Sequence, residues 1–239
     1  MIPKQCYFIC ATPRSGSTLL CEALRLTGLA GRPDEYFGPM HVERWNKQWH
    51  TSTAGDYLER VFETGTGANG VWGAKLMRVY WHDFIGQLRG LDGPGEESDE
   101  SLVQRVFQRP RYLFITRRDK VRQAVSWLKF LQGSAWYWEG ETPQKIEGLE
   151  YQEDVIDRFI DQVNAHESAW MRYFERVGVE PFVVVYEDFC AAYESTAAAA
   201  LEYLGLNHGL LNLENQRRMK QQSDQISEQW VQRYRASKK

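Results

Sequence analysis

Residues 11–18, Ala-Thr-Pro-Arg-Ser-Gly-Ser-Thr, are the first place in the chain where residue types and spacing could do chemistry. Set against the phosphate-loop pattern G-x-x-x-x-G-K-[ST], they keep Gly16 and Thr18 but carry Ala11 for the first glycine and Ser17 for the lysine. What remains is an anion cradle: successive backbone N–H groups, the positive end of a following helix, and the hydroxyls of Ser15, Ser17 and Thr18. Arg14 returns the missing cation three residues earlier, and a guanidinium can grip a phosphate in bidentate fashion without magnesium between them. The loop therefore suits a phosphate or sulfuryl ester better than magnesium triphosphate. Read alone, Pro-Arg-Ser-Gly-Ser is equally a tight turn with a helix cap.

A second basic group tests the first. Thr116-Arg117-Arg118-Asp119-Lys120 follows an apolar strand, with Ser126 about two helical turns onward. Arginine at a helix N-terminus opposes the dipole, so its placement there points to a bound anion, in the region where open α/β sheets take their ligands. Glu35 stands in an irregular stretch, Glu35-Tyr36-Phe37-Gly38-Pro39, between two regular elements. Trp45 and Trp49, at i, i+4 spacing, and Trp136-Tyr137-Trp138 could stack on sugar faces, although such aromatics more often fill a core or a dimer interface.

The elements that must position these groups alternate along the chain. Cys6–Cys10 is a short continuous apolar run of the kind covered on both faces of a parallel sheet, and Leu19, Leu20, Ala23, Leu24 and Leu26 form the stripe of a helix closed by Gly28. A helix is expected over His41–Glu63, a strand over Gly70–Met77, and a helix from there to Leu88. Leu91–Ser101, with Gly-Pro-Gly and five acidic residues, has the composition of an exposed loop. Arg111–Thr116 predicts a strand, Asp119 the cap of the next helix, Asp154–Arg176 a long amphipathic helix ending at Gly178, Pro181–Tyr186 a buried strand, and Ser195–Leu204 a helix stopped by Gly205. The sum is one α/β domain over residues 1–239, a mostly parallel sheet with helices on both faces.

Composition narrows the function. Net charge −3 gives no basic field for nucleic acid, so a large anionic ligand has to be held by local cations. Four cysteines without a CxxC pair read as reduced thiols, giving neither disulfide nor metal site. The opening residues lack the pattern of a signal peptide, and no apolar run approaches the roughly 18 residues of a membrane span. A cytoplasmic protein is expected.

Thr12–Thr18 resembles the 5'-phosphosulfate loop of sulfotransferases, and Arg117–Lys120 with Gln123-Ala124-Val125-Ser126 resembles their 3'-phosphate element. Together with Arg14–Leu20, Glu35-Tyr36-Phe37, Gly70–Met77 and the C-terminal Gln222-Ser223-Asp224, Ser227, Trp230 and Arg233-Tyr234-Arg235, they are similar in order to the bacterial Stf-zero (trehalose 2-sulfotransferase) family. That resemblance implies a P-loop-like sulfotransferase fold and 3'-phosphoadenosine 5'-phosphosulfate (PAPS) as donor without a metal. It also implies a carbohydrate or glycolipid-precursor hydroxyl as acceptor, Glu35 as general base, and a possible homodimer. Lys75 could reach the transferred sulfuryl group or simply pair with a carboxylate. The 3'-phosphate arginine is Arg118 by the wider sulfotransferase spacing and Arg117 by the bacterial pattern. A small-molecule kinase and a non-catalytic nucleotide-binding module are the rival readings; the kinase lacks Gly-Lys at positions 16 and 17.

Overall fold

A computed structural model describes residues 2–92, 96–133, 148–219 and 224–238. In chain order the elements are β1 (Gln5–Ala11), α1 (Ser17–Leu26), α2 (Pro39–Trp49), α3 (Ala54–Gly65), β2 (Val71–Met77), α4 (Trp81–Asp92), α5 (Asp99–Val106), β3 (Arg111–Thr116), α6 (Lys120–Leu131), α7 (Glu153–Val177), β4 (Phe182–Val185), α8 (Tyr186–Ala191), α9 (Tyr193–Tyr203) and α10 (Gln225–Ser237). The sheet runs β2-β1-β3-β4 with every pair parallel, β1 in register with β2 from Gln5 opposite Val71 to Ala11 opposite Met77. The expected α/β architecture with helices on both faces is the one observed.

Strand alternation divides β1 between two cores. Tyr7, Ile9 and Ala11 face Leu20, Ala23 and Leu24 of α1 and the apolar side of α9, whereas Phe8 and Cys10 face α4, α5 and α7. Phe8 is the hub of the second side, with ring centroids 4.8 Å from Phe107, 5.6 Å from Trp72 and 5.8 Å from Phe84. A fully buried phenylalanine contributes roughly 1.5–3 kcal/mol by area alone, so these interlocked rings hold the centre of the sheet rigid beneath the site. A third cluster joins α6, α7 and α10 through Val125, Leu128, Ile156, Trp230 and Val231.

Three sequence expectations are corrected. His41–Glu63 is two helices, not one: His50 takes the left-handed conformation (φ 53°) and Thr53 caps α3 by accepting from the Asp56 N–H. Thr51-Ser52-Thr53 favour a cap over a helix interior. The acidic loop 91–101 is regular at both ends, since α4 runs to Asp92 and Ser98 accepts from the Ser101 N–H at the start of α5. Residues 181–186 form an edge strand of four residues in which Val183 is 50% exposed, and Tyr186 already begins α8. Trp45 and Trp49 stack on each other at 4.5 Å and pack against the Phe8-side core, which is the core-filling use of such a pair. Trp136-Tyr137-Trp138 lie outside the described residues.

Cys6, Cys10 and Cys21 are buried free thiols, and desolvation pushes Cys6 and Cys21 up to about 12, which keeps them protonated and unreactive. No described helix is long and apolar enough to cross a membrane.

Candidate functional site

β1, β2 and β3 end together at one edge of the sheet, and the sequence-predicted groups gather there. Thr12 and Ser15 are fully buried, and the Ser15 N–H donates to the Thr12 carbonyl across the turn. Gln123 on α6 clamps that turn, its amide donating to Thr12 Oγ1 (2.9 Å) and to the Pro13 carbonyl (2.7 Å). Arg14 (φ 61°) and Gly16 (φ 94°) both take positive φ, a conformation that turns successive amides towards one point. α1 then starts at Ser17 with no side-chain cap and no acidic residue in its first turn, leaving its orphan N–H groups and dipole for an anion. Ser15 Oγ is buried and has no hydrogen-bond partner in the protein, which is the state expected of a hydroxyl whose partner is a ligand oxygen.

Gly16 is required twice over. Its φ is unfavourable for any L-residue, and a Cβ there would lie 2.2 Å from Cδ2 of Tyr186. Gly16→Ala is expected to cost at least ~1–2 kcal/mol from the backbone alone, read as a lower melting temperature, and to weaken anion binding by tilting the loop. Unchanged stability and binding would show that the ring moves aside freely.

Two guanidiniums face each other across the loop. Arg14 is half-buried, donates from Nε to Ser126 Oγ (3.0 Å) and lies 5.5 Å from the Phe130 ring centroid. Burial, and then the positive charge of Arg117, lowers its pKa. The Arg117 side chain is 14% exposed, stacks 4.8 Å over Tyr186, and holds Nε 3.7 Å from Glu187 Oε1, within ion-pair range but without a hydrogen bond. Arg118 turns outward: its side chain is 60% exposed and pairs with Asp188. The arginine brought to Arg14 is thus Arg117. Tyr186, which touches both halves of this cradle, read in the sequence only as the last residue of a strand, and its two contacts are invisible there because Gly16 lies 170 positions away. Burial pushes the Tyr186 pKa up to about 12, opposed in part by Arg117 and by Arg217, which stacks 4.9 Å over Tyr193 and is marked by no motif.

On the outer side of β2, Asp34 pairs with Ala74 as a parallel bridge and its carbonyl accepts the Lys75 N–H (2.9 Å). That contact delivers Glu35 to the α1 face of the sheet. Glu35 Oε2 lies 2.7 Å from Lys75 Nζ, with both side chains about 5% exposed or less, and Lys75 Nζ donates on to Thr18 Oγ1 at 3.3 Å. Burial alone would lower the Lys75 pKa, but the Glu35 carboxylate beside it carries the value above that of an ordinary lysine. His41 Nε2 stands 3.7 Å from the same carboxylate oxygen, and burial holds its pKa below the usual histidine value despite Glu35, so it is neutral at pH 7. Among the described residues, no cluster of three or more His, Cys, Asp or Glu side chains is placed to hold a metal.

A parallel sheet whose first strand runs through a basic, glycine-containing loop into a helix N-terminus is an open α/β architecture, a fold class whose ligands are met at the strand ends. Within that class the chain belongs to the Stf0 sulphotransferase family, whose family model matches residues 6–237. It is 28% identical over 258 residues to the trehalose 2-sulfotransferase of Mycobacterium tuberculosis (strain ATCC 35801 / TMC 107 / Erdman), covering 96% of this chain and 94% of that protein. The trehalose 2-sulfotransferase of Mycolicibacterium smegmatis (strain ATCC 700084 / mc(2)155) is 29% identical over 254 residues with the same coverage. Among solved structures, the sulfotransferase domain of the Synechococcus PCC 7002 olefin synthase aligns over 98% of this chain and 95% of that one, at 14% identity and a TM-score of 0.43.

Proposed function

We propose that this sulfotransferase moves a sulfuryl group from PAPS to a carbohydrate hydroxyl, with Glu35 as general base and Arg14, Lys75 and the loop amides around the transferred group. The observation that carries the reading is the chain Glu35–Lys75–Thr18, which ties a buried carboxylate to the mouth of the anion loop. PAPS fits the residues present: an orphaned hydroxyl on Ser15, an uncapped α1, and two mutually repelling guanidiniums that a doubly anionic ligand would separate. When bound, it supplies a sulfur centre whose bond to the 5'-phosphate oxygen breaks as the acceptor oxygen bonds to sulfur. Glu35 takes the hydroxyl proton, so that the acceptor oxygen attacks without first becoming a free alkoxide. Arg14 and the amides of residues 15–18 meet the charge left on the 5'-phosphate, while Arg117 and Ser126 are assigned to the 3'-phosphate end. Lys75 neutralises the sulfuryl oxygens from the acceptor side. The names of the mycobacterial relatives support a carbohydrate acceptor. A cytoplasmic homodimer of single-domain chains completes the reading.

Calorimetry separates this from a kinase. 3'-Phosphoadenosine 5'-phosphate (PAP) should bind at least tenfold more tightly than magnesium ATP, and Arg117→Ala should weaken PAP about tenfold or more, the scale of one charge-assisted contact. Arg118→Ala should change PAP affinity by less than about threefold, as an exposed pair contributes little. Tighter binding of magnesium ATP would overturn the donor assignment. Larger loss at Arg118 would reverse the choice of arginine.

A further inference from the structure

At the same edge, but on the other face of the sheet from Lys75, a second set of polar groups is left unused. β2 presents Met77 towards α1 and Trp72, Ala74 and Leu76 towards α4 and α7, and Arg78 continues the second row. Its guanidinium carbon lies 5.1 Å from the Trp81 ring and 5.8 Å from the Trp170 ring, so two indoles fix its plane. Arg78 Nε is nonetheless buried without a hydrogen-bond partner, and so is Nδ1 of His166, one turn before Trp170 on α7. Trp170 donates from Nε1 to the carbonyl of Ala11 (3.1 Å), the residue from which the anion loop departs. Trp170 thus links the Arg78 guanidinium to the residue from which the anion loop starts.

The nearby acids are already committed. Asp99 accepts from Arg89 (2.8 Å) and from Trp81 Nε1 (3.3 Å), and Glu100 accepts from Arg176 (2.5 Å). Arg78 and exposed Arg172 have no ion-pair partner among the described residues, and burial, then the charges of Arg176 and Arg172, lower the Arg78 pKa, with Asp99 pulling the other way. Burial, then Arg78, keeps His166 neutral at pH 7, with one ring nitrogen available to a ligand. A half-buried guanidinium whose Nε is buried with an unmade hydrogen bond, and which has no ion-pair partner among the described residues, is matched best by an oxyanion, since a neutral hydroxyl would satisfy geometry but not charge. Lys75 and Arg78 stand three positions apart across the end of β2 at Met77, roughly 10 Å along the backbone at the rise of an extended chain, a span that one sugar ring and its linkage can bridge.

We propose that Arg78 and His166 form an acceptor subsite for an oxyanion, a carboxylate or a phosphate or sulfate ester, carried by the carbohydrate about one ring from the hydroxyl that receives the sulfuryl group. This rests on the sulfotransferase reading above and adds a charged class of acceptor to it.

The full chain saturated with PAP is titrated calorimetrically with trehalose, trehalose 6-phosphate and a glucuronic-acid-containing disaccharide. At least one charged sugar should bind tenfold or more tightly than trehalose, equivalent to about 1.4 kcal/mol. Preference for the phosphate alone identifies an ester, for the uronate alone a carboxylate. Arg78→Met keeps an unbranched stem between the two indoles, and should abolish the preference with PAP affinity unchanged. His166→Gln should reduce it about threefold. Should Arg78→Met fail to fold, Arg78→Lys, which keeps charge but not the fork, must lose at least threefold of the preference. The proposal is overturned if charged sugars bind no better than trehalose, or if the preference survives at position 78. Failure of PAP itself to bind would instead sink the sulfotransferase reading.

Discussion

Glu35→Gln is expected to lower kcat by ~10²–10⁴-fold, the usual range for removing a general base, with PAP affinity changed by less than about threefold. Glutamine keeps the shape of the side chain but cannot take a proton. The loss should fall on kcat while PAP affinity holds, a split that mere loosening of the site would not produce. The substitution also strands Lys75, which is buried and holds its charge through Glu35 2.7 Å away. Breaking such a pair from one side costs about 3–5 kcal/mol, so the melting temperature should fall as well. Lys75 has a raised pKa in the folded chain, so its contribution to stability is fully present below the unfolded lysine value and is lost as pH rises through the folded one. Stability differences should therefore be measured near neutrality, where the pair is intact. Glu35→Asp is the control for folding: it keeps the charge but withdraws the oxygens from the acceptor, and should remain folded while turning over slowly. If Glu35→Gln, or Glu35→Asp where the first variant is unfolded, works at nearly the natural rate, Glu35 is not the base.

Arg14→Met carries the second large effect, and its sign differs between the free and the bound protein. Transfer should slow by ~10²–10³-fold, the loss typical of one preorganised donor at a developing oxyanion. The unliganded chain, however, should melt no lower than the natural one, because Arg14 is held against the charge of Arg117 and relief of that repulsion and of its desolvation offsets the lost bond to Ser126. Methionine retains a flexible stem against Phe130. The natural chain at 100 Kd of PAP gains about 2.7 kcal/mol by mass action; Arg14→Met should gain little at the same concentration. A variant that melts well below the natural chain without ligand, yet is stabilised by PAP as before, would make Arg14 a structural residue.

How far the sequence spoke depended on the range of the forces involved. β1, the loop and α1 were legible because an apolar run, a glycine and a helical stripe occupy consecutive positions, and Gly28 closes the helix with φ 69° as its residue type foretold. Local chemistry also hid things. The i, i+4 tryptophans of α2 carried the helical pattern past His50, and five acids between 91 and 101 masked the serine cap of α5. The choice between Arg117 and Arg118 was beyond local reading altogether, since both follow the end of β3. It is made by Tyr186, Glu187 and Asp188, about 70 residues further on, which receive one side chain over a ring and draw the other to the surface. The pairing of Glu35 with Lys75 is of the same kind: each was named for chemistry, but their contact depends on Asp34 docking beside Ala74.

That buried pair also sets a limit on how this protein can be made sturdier. Stripping two ions of water is costly, and apolar residues of similar volume in such a place are commonly neutral or more stable by about 1–4 kcal/mol. A chain screened for heat resistance alone would therefore drift towards a greasy contact between positions 35 and 75. It would keep its sheet and its loop, and a folding assay would score it as improved while the pair proposed for the transfer chemistry had gone.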